Sequence, residues 1–259
     1  MSCSSEMQKH PARMHTAFKT TNSCAALPGA PHFGNLLPVF QLIRENLLRP
    51  GCITGINGVD ASGKTQFTTL LSKYLTQQGI RNTVICIDDF HNPAALRRQG
   101  ANAQQAYYQN AFDLARLVQQ VLDPWKRTGC LRRRVSFLSL QSDRYDRALT
   151  LDLCPGDVML LEVSLLFRPP VLPYLDTKIF LDVSFPEVLR RAARRDIPRF
   201  GPDILKTYRE KYIPVQQRYF QEFSPKDKAN LVIDNEDYQN PRILRITPLK
   251  FKEKESVKL

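Results

Sequence analysis

The sequence contains no long apolar run and no closely paired cysteines. No stretch approaches the length of a membrane span, and residues 1–30 lack the apolar segment of a secretory signal. The six cysteines include no C-x-x-C pair, and Cys52 and Cys86 fall in apolar, strand-like segments. They indicate reduced thiols, not a disulfide framework or a zinc site. We therefore expect a soluble, cytoplasmic protein with no membrane partner.

Nucleic-acid motifs are also missing, although the chain is strongly basic. The formal net charge is +12, which would suit a polyanionic partner. No zinc finger, RNA-recognition signature or basic-aromatic repeat accompanies this charge. An enzyme that handles ATP and an anionic product also needs a cationic surface. We do not predict a nucleic-acid partner, and RNA binding is kept as an alternative.

Length and composition predict one folded domain with two tails. With 259 residues, of which 42% are hydrophobic, the chain can bury one substantial core. Residues 1–34 are rich in Ser, Thr, Ala, Pro and His without periodicity, which is typical of a flexible tail. We assign residues 35–247 to the folded domain and residues 248–259 to a frayed C-terminal tail.

Apolar strands alternate with helical segments along the domain. Helices are predicted for Leu36 to Leu48, Phe112 to Leu122 and Pro186 to Arg195. Strands are predicted for Cys52 to Ile56, Thr83 to Asp88, Val158 to Val163, Lys178 to Val183 and Asn230 to Asp234. Continuous apolar strands separated by helices predict an α/β fold with about five parallel strands and helices on both faces.

The segment Gly58 to Thr65 fits G-x-x-x-x-G-K-[ST], the Walker A phosphate loop. It follows an apolar strand and precedes a segment with helical periodicity, which is the context that a P-loop NTPase requires. Lys64 is expected to reach the β- and γ-phosphates of ATP, and the Thr65 hydroxyl to bind Mg²⁺. The predicted nucleotide-binding residues of this loop are Gly58, Asp60, Ala61, Ser62, Gly63, Lys64, Thr65 and Gln66. The alternative is a glycine-rich surface turn.

Two classes of P-loop protein lack their signatures here. No Asn-Lys-x-Asp motif is present to read guanine, which argues against a GTPase. A motor or AAA-type ATPase usually has an apolar strand that ends in Asp-Glu, whereas Val158 to Glu162 ends in one glutamate. The pattern favours a small-molecule kinase.

The second predicted strand delivers Asp88 and Asp89 to the carboxyl edge of the sheet, where such folds bind ligands. Phosphoryl transfer needs a carboxylate that accepts the proton of the acceptor hydroxyl, and carboxylates or hydroxyls that hold Mg²⁺. Asp88 and Asp89 could supply both. The alternative is that they cap the helix that follows near Pro93 to Leu96.

Arginines are densest on the predicted helix after the fourth strand. The cluster comprises Arg190, Arg191, Arg194, Arg195 and Arg199. Arg191 and Arg195 lie four residues apart on one helix face, where Asp196 could orient a guanidinium. Such a segment could act as an arginine-rich lid that covers the transferring phosphoryl group, or it could be a solvated basic helix. Asp234 and Asn235, at the end of the last strand, could border the adenine.

In this order, the segments resemble the uridine kinase and phosphoribulokinase group of P-loop kinases, and bacterial uridine-kinase-like proteins in particular. The resemblance spans roughly residues 50–245. It rests on Gly58 to Thr65, Ile87 to His91, Ala111 to Asp113, the strand ending in Glu162, Ile179 to Val183, Arg191 with Arg195 and Asp196, and Val232 to Asn235.

The resemblance implies roles for individual residues. Asp88 becomes the general base, Lys64 and Thr65 hold ATP and Mg²⁺, and Glu162 lies near the metal. Arg191 and Arg195 belong to the lid. The predicted catalytic set is thus Asp88, Lys64, Arg191 and Arg195, and the predicted metal set is Thr65, Asp88 and Glu162. Oligomers are frequent in this group, so a homo-oligomer is compatible with the resemblance.

The chain departs from the group at three places. Uridine kinases usually have Arg-Gly-Arg in the lid turn, where this sequence has Phe200, Gly201 and Pro202. Tyr107 stands where an acidic residue that binds ribose hydroxyls is expected, and Val163 replaces the usual glycine after the strand-end glutamate. These departures concern the acceptor more than phosphoryl transfer itself.

The sequence therefore predicts an ATP-dependent kinase that phosphorylates a hydroxyl of a small molecule, with a nucleoside such as uridine as the leading acceptor. The predicted acceptor residues are Asp89, His91, Arg97, Tyr107 and Tyr108, and the two tyrosines fit a core position equally well. One alternative is a kinase of another hydroxyl acceptor, such as pantothenate, a sugar or a ribulose phosphate. Another is a nucleotide-binding regulator without turnover.

Overall fold

The computed structural model describes residues 33–249. Most of the two predicted tails, residues 1–34 and 248–259, lies outside the described residues. Phe33 is described, and its ring contacts Phe40 and Tyr74 with centroids 5.9 and 5.6 Å apart. Leu249 also packs against this part of the core. The packed region thus extends slightly beyond residues 35–247 at both ends.

A six-stranded sheet forms the centre of the molecule, in the order β2-β5-β1-β6-β7-β8. The first five strands in that order are parallel, and the edge strand β8 is antiparallel to β7. The strands of this sheet are β1 (Ile53–Gly58), β2 (Asn82–Cys86), β5 (Val158–Glu162), β6 (Thr177–Asp182), β7 (Leu231–Asp234) and β8 (Arg242–Ile246).

A separate antiparallel hairpin, β3 (Leu131–Ser139) and β4 (Arg144–Leu153), lies beside the main sheet. The helices are α1 (Leu37–Asn46), α2 (Lys64–Gln77), α3 (Ala94–Arg97), α4 (Ala103–Asn110), α5 (Leu114–Leu117), α6 (Asp123–Thr128), α7 (Phe185–Phe200), α8 (Ile204–Thr207), α9 (Ile213–Phe223) and α10 (Pro225–Lys228). Short π-helical turns, Val118–Leu122 and Tyr208–Tyr212, precede α6 and α9.

The sheet is buried on both faces because its strands are apolar at consecutive positions. Leu160 belongs to the core on the side of α1 and α2, whereas its neighbours Met159 and Leu161 belong to the core on the opposite side. Successive side chains of a strand point to opposite faces, so a continuous apolar run fills both cores. This explains why the five parallel strands could be read from the sequence.

The predicted α/β class and the five parallel strands are confirmed. The sequence reading missed β8 and the β3–β4 hairpin. In β3 the buried residues Leu131, Val135 and Phe137 are separated by exposed arginines and a serine. Because three arginines follow one another in β3, its apolar residues do not alternate in the way that predicts a strand.

The topology brings the carboxyl ends of β1, β2, β5 and β6 to one edge of the sheet. Ile56 of β1 pairs with Glu162 of β5, which also pairs with Cys86 of β2. The phosphate loop, the Asp88 turn and Glu162 are therefore neighbours. Between residues 33 and 249, none of the helices has the length and apolar character needed to cross a membrane.

Candidate active site

The phosphate loop connects β1 to α2. Gly63 immediately precedes α2 and has a φ of +92°, a left-handed conformation that glycine adopts most easily. At Gly58 the limit is space, because a Cβ atom there would lie 2.6 Å from Ser62 Oγ and 2.7 Å from the Leu181 carbonyl oxygen. The local backbone therefore favours glycine at both of these motif positions.

Lys64 is buried and turned back onto its own loop. Its ammonium donates hydrogen bonds to the carbonyl oxygens of Gly58 (3.1 Å) and Val59 (2.8 Å) and to Ser164 Oγ (3.1 Å). The ammonium N–H groups of Lys64, which the Walker A motif assigns to phosphate, are thus already used in hydrogen bonds to these oxygens. Lys64 would have to give up these hydrogen bonds in order to bind a phosphate.

Asp60 anchors the phosphate loop to other parts of the fold. Its carboxylate accepts hydrogen bonds from Ser164 Oγ (2.8 Å) and Gln216 Nε2 (3.0 Å), and its backbone N–H donates to Gln216 Oε1 (3.0 Å). Asp60 is 2% exposed. Gln216 lies on α9, so this network joins the phosphate loop to a distant part of the chain.

A cavity of about 380 Å³ opens beside the loop. The predicted site residues that line it are Ala61, Gly63, Lys64, Thr65, Gln66, Asp88, Glu162, Arg191 and Arg195. The predicted site residues that do not line it are Gly58, Asp60, Ser62, Asp89, His91, Arg97, Tyr107, Tyr108, Asp234 and Asn235. The structure thus brings together the predicted catalytic and metal sets, and it places the predicted acceptor residues outside this cavity.

Oxygen ligands for a cation stand next to each other in the cavity. Thr65 Oγ1 donates to Glu162 Oε1 across 2.9 Å, and Glu162 is buried. Asp88 lines the same cavity. Residues 33–249 contain no group of three or more His, Cys, Asp or Glu side chains arranged to hold a metal. A hydroxyl and a few carboxylates suit Mg²⁺, which is usually held by one or two carboxylates together with water and substrate phosphates.

Asp88 and Asp89 lie on a 3-10 turn, Ile87–Phe90, that directly follows β2. The sequence left open whether these acids cap the next helix. The first N–H of α3, that of Ala94, instead donates to both carboxylate oxygens of Asp143 (2.9 and 3.0 Å), in the turn of the β3–β4 hairpin. The capping acid of α3 is therefore Asp143.

Arg191 ties α7 to the phosphate loop and to the end of β7. Its guanidinium donates to the carbonyl oxygens of Ala61 (3.3 Å), Asn235 (2.5 Å) and Glu236 (3.0 Å). Its Nε donates to Glu187 Oε1 at 2.7 Å. Arg191 thus has a structural role at the rim of the cavity, in addition to the charge that it presents there.

Arg195 is oriented by its sequence neighbour, as predicted for one of the arginines. Its guanidinium forms two hydrogen bonds to the Asp196 carboxylate (2.7 and 2.8 Å) and one to the Tyr208 hydroxyl (2.9 Å). Tyr208 donates to Asp196 at 2.8 Å. Arg194 is exposed and lines the cavity. Helix α7 is therefore not a purely solvated basic helix, and its arginines differ from one another in their contacts.

Asp234 and Asn235, at the end of β7, have different surroundings. Asn235 is buried, and its side-chain N–H donates to the carbonyl oxygen of Ser62 in the phosphate loop at 2.7 Å. Asp234 accepts from Arg242 (2.5 Å) and from the Glu236 N–H (3.0 Å). Asn235 therefore supports the loop, whereas Asp234 pairs with β8.

Two predicted acceptor residues, His91 and Tyr108, are held by the surrounding fold. His91 Nδ1 lies 2.8 Å from the Ala111 carbonyl oxygen, and its ring stacks on Phe112 at 4.7 Å. Tyr108 belongs to the main core and donates to Glu222. Burial and this carboxylate raise the pKa of Tyr108 to about 12. For Tyr108 the structure favours the core position that the sequence left open.

The other predicted acceptor residues lie nearer the surface. Tyr107 is half-buried and packs against the rings of Phe112 and Tyr212. Arg97 pairs with Asp143 at 3.1 Å. Asp89 is partly exposed on the turn that carries the candidate base.

Several residues of the site were not identified from the sequence. Glu187 and Tyr238 line the cavity and were not named from the sequence. Val163, Arg190 and Arg194 also line it, and the sequence named them only as a departure from the group and as members of the arginine cluster. Glu187 could have been found, because it precedes Arg190 and Arg191 by three and four residues, the spacing of ion pairs on a helix. Ser164 and Gln216 carry no local sequence signal, since only the fold brings them to Asp60.

Comparison with known proteins gives structural neighbours only. No protein-family model matches the sequence, and no curated protein matches it. A possible uridine kinase from Bacillus stearothermophilus is similar in structure, with a TM-score of 0.62, 24% identity, and coverage of 76% of this chain and 96% of that chain.

Two further structures are similar. One, assigned as a fructose transport system kinase from Silicibacter sp. TM1040, has a TM-score of 0.53, 20% identity, and coverage of 72% of this chain and 94% of that chain. The other, the protein YGR205w, has a TM-score of 0.57, 13% identity, and coverage of 82% of this chain and 99% of that chain. These likenesses confirm the predicted α/β fold.

Proposed function

We propose that this protein is an ATP-dependent phosphotransferase that phosphorylates a hydroxyl group of a small molecule. The observation that carries this proposal is the composition of the 380 Å³ cavity, in which a Walker A lysine, the Asp88 carboxylate and the arginines of α7 meet. Phosphoryl transfer requires these three kinds of group: a phosphate cradle, a proton acceptor and positive charge over the transferring group.

The residues present fit ATP with Mg²⁺. The N-terminus of α2 opens onto the cavity through Gly63, Lys64 and Thr65, and a helix N-terminus with its free N–H groups favours a bound phosphate. Thr65 and Glu162 would hold Mg²⁺. Bound Mg²⁺ would neutralise phosphate charge during the transfer.

In the proposed reaction Asp88 accepts the proton of the acceptor hydroxyl as its oxygen forms a bond to the γ-phosphorus. The bond from that phosphorus to the β–γ bridging oxygen breaks, and ADP leaves. Lys64 moves from the Gly58 and Val59 carbonyl oxygens to the phosphates. Arg194 and Arg195 approach the charge that spreads over the transferring oxygens, which is where positive groups lower the barrier.

The identity of the acceptor is the finer part of the proposal. The likeness to a possible uridine kinase supports a nucleoside, and the likeness to a protein assigned as a fructose transport system kinase supports a sugar-like compound. Both are compounds with free hydroxyl groups. A cytoplasmic location and assembly into a homo-oligomer remain predictions from the sequence.

ATP consumption by the purified protein tests the proposal. With Mg²⁺, we expect turnover with at least one member of a panel of nucleosides, pantothenate, ribulose 5-phosphate and simple sugars. Asp88→Asn should lower kcat about 10²- to 10⁴-fold, the usual contribution of a general base. Asp203→Asn, which alters an exposed acid before α8, is the matched control and should leave kcat unchanged.

Other results would contradict parts of this proposal. Unchanged turnover in Asp88→Asn would exclude Asp88 as the base. ATP binding without phosphorylation of any acceptor would favour the nucleotide-binding regulator. Tight RNA binding whose affinity falls steeply with salt would favour the polynucleotide alternative.

A further inference from the structure

Lys211 has an unusual environment for a lysine. It lies on the π-helical turn Tyr208–Tyr212, is partly buried, and makes no hydrogen bond or ion pair with any residue between 33 and 249. Its ammonium lies 4.9 Å from the centroid of the Tyr107 ring and 5.4 Å from that of the Tyr212 ring. Aromatic faces attract a cation, but they leave its three N–H donors without acceptors.

Arg97 is a second cation on the same side. It is close enough to Lys211 that, after burial, it is the main cause of the lowered pKa of Lys211. Asp143 pairs with one terminal nitrogen of Arg97 at 3.1 Å. The Nε of Arg97 is buried and has no hydrogen-bond partner among the described side chains and backbone.

A row of aromatic rings connects this pair of cations to the candidate base. His91 directly follows the turn that carries Asp88, and its ring stacks on Phe112 at 4.7 Å. Phe112 contacts Tyr107 at 6.5 Å between centroids, and Tyr107 lies under Lys211. The ring contacts thus lead from the residue that follows the Asp88 turn to Lys211, and the two cations lie outside the lining of the cavity that contains Asp88.

Within residues 33–249, only Arg97 of these two neighbouring cations has a carboxylate partner, Asp143, and the donors of Lys211 and the Nε of Arg97 are left for a further anion. Asp60 acts on Lys211 as an opposing charge, but it affects the pKa of Lys211 less than Arg97 does, and its carboxylate already accepts hydrogen bonds from Ser164 and Gln216. A neutral acceptor would leave Lys211 without a partner. A phosphate or carboxylate would give it acceptors with opposite charge.

We propose that Lys211 and Arg97 bind an anionic group of the phosphoryl acceptor, so that the acceptor is a small hydroxyl compound carrying a phosphate or a carboxylate. This inference rests on the proposed kinase function, because it concerns the acceptor side of the same site. It favours a sugar phosphate or a hydroxy acid over an uncharged nucleoside. Arg97 was among the acceptor residues expected from the sequence, whereas Lys211 was not.

The test compares related acceptors with and without an anionic group. ATP consumption is measured with glycerol, glycerol 3-phosphate and glycerate, and with ribulose and ribulose 5-phosphate. We expect kcat/KM to be at least tenfold higher for the anionic member of a pair. Lys211→Met should raise KM for that member about ten- to a hundred-fold with little change in kcat, and should not affect the neutral compound. Lys206→Met on α8, an exposed lysine 4.0 Å from Glu210, is the matched control.

Equal or better turnover of the neutral members, or an equal effect of Lys211→Met on both members, would overturn the inference and leave the kinase function intact. If no compound is phosphorylated, the anion site is tested by calorimetric titration with each pair of compounds in the presence of a non-hydrolysable ATP analogue. Tighter binding of glycerol 3-phosphate, glycerate or ribulose 5-phosphate than of the neutral compound, lost in Lys211→Met, would support the anion site. No such difference would overturn it. Binding of the ATP analogue reports on the proposed function separately.

Discussion

At the scale of single residues, Tyr219 illustrates how a buried polar group supports the phosphate loop. Its hydroxyl accepts hydrogen bonds from Asn57 Nδ2 (2.6 Å) and from the Phe167 N–H (2.8 Å). Asn57 in turn accepts from the Gly58 N–H at 2.7 Å. Burial raises the pKa of Tyr219, so the hydroxyl stays neutral over the whole physiological range. One phenol thus links α9 to the start of the loop.

We expect Tyr219→Phe to lower the free energy of unfolding by about 1–3 kcal/mol, because it leaves two buried donors, those of Asn57 and Phe167, without an acceptor. Urea denaturation of the purified variant measures this loss. Tyr145→Phe changes an exposed tyrosine of β4 and should leave stability within about 0.5 kcal/mol of the wild type. Equal stability of wild type and Tyr219→Phe would show that the two donors find other acceptors.

At the scale of elements, α7 combines one well-defined helix start with one basic face. Ser184 caps the helix by accepting the Glu187 N–H at 3.3 Å. Burial alone would raise the pKa of Glu187, but hydrogen bonds from Arg190 and Arg191 outweigh it and lower the pKa. Glu187 therefore stays charged and holds Arg191 in the position from which it reaches the phosphate loop.

We expect Arg191→Met to weaken ATP binding, with a KM for ATP about tenfold higher, because the variant loses charged hydrogen bonds to the loop at Ala61 and to the chain after β7. Steady-state kinetics with varied ATP measure this change. Arg199→Met removes an exposed arginine from the same helix and is the matched control. A KM for ATP that stays at the wild-type value would show that the loop keeps its shape without Arg191.

At the scale of the whole molecule, the sequence predicted the parts that depend on local pattern. The five parallel strands follow from apolar runs, and the cavity lining by Lys64, Thr65, Asp88 and Glu162 follows from a motif and from the rule that ligands bind at the carboxyl edge. The arginines were located on the right helix, but their individual partners were not predicted.

Other features depend on contacts between distant segments. Lys211 lies roughly a hundred residues from Tyr107 and Arg97 in the chain, and nothing in its local sequence distinguishes it from neighbouring charged residues. Gln216 reaches Asp60 across a separation of 156 residues. Periodicity and motif spacing report on neighbours within one element, so such pairs appear only after the elements are packed together.

Stability of the whole fold should decrease in acid. Burial raises the pKa of Asp176, but hydrogen bonds from Lys126 (2.6 Å), the Ile53 N–H and Arg49 lower it overall. The pKa of Glu187 is lowered as well. A carboxyl group whose pKa is lower in the folded state contributes stability above its unfolded pKa of about 4 to 4.5, and that contribution is lost as pH falls through the folded pKa.

We therefore expect the free energy of unfolding, measured with urea, to be constant near pH 6–7 and to fall progressively below about pH 4.5. Asp176→Asn should be less stable than wild type at pH 7, with a smaller difference at pH 3, where the native carboxyl group is also neutralised. Asp203→Asn, at an exposed position, serves as the control. A difference between Asp176→Asn and wild type that is as large at pH 3 as at pH 7 would show that ionisation of Asp176 is not the cause.

The internal hydrogen bonds of Lys64 have a consequence for selectivity among anions. A phosphate that contacts only this ammonium replaces its hydrogen bonds to Gly58, Val59 and Ser164. The net binding free energy is then only the difference between the new hydrogen bonds and the lost ones. A single phosphate ion therefore gains little from Lys64. A chain of three phosphates also engages the N–H groups at the start of α2, which compensates for the exchange. We therefore expect the loop to bind a triphosphate in preference to a free phosphate ion.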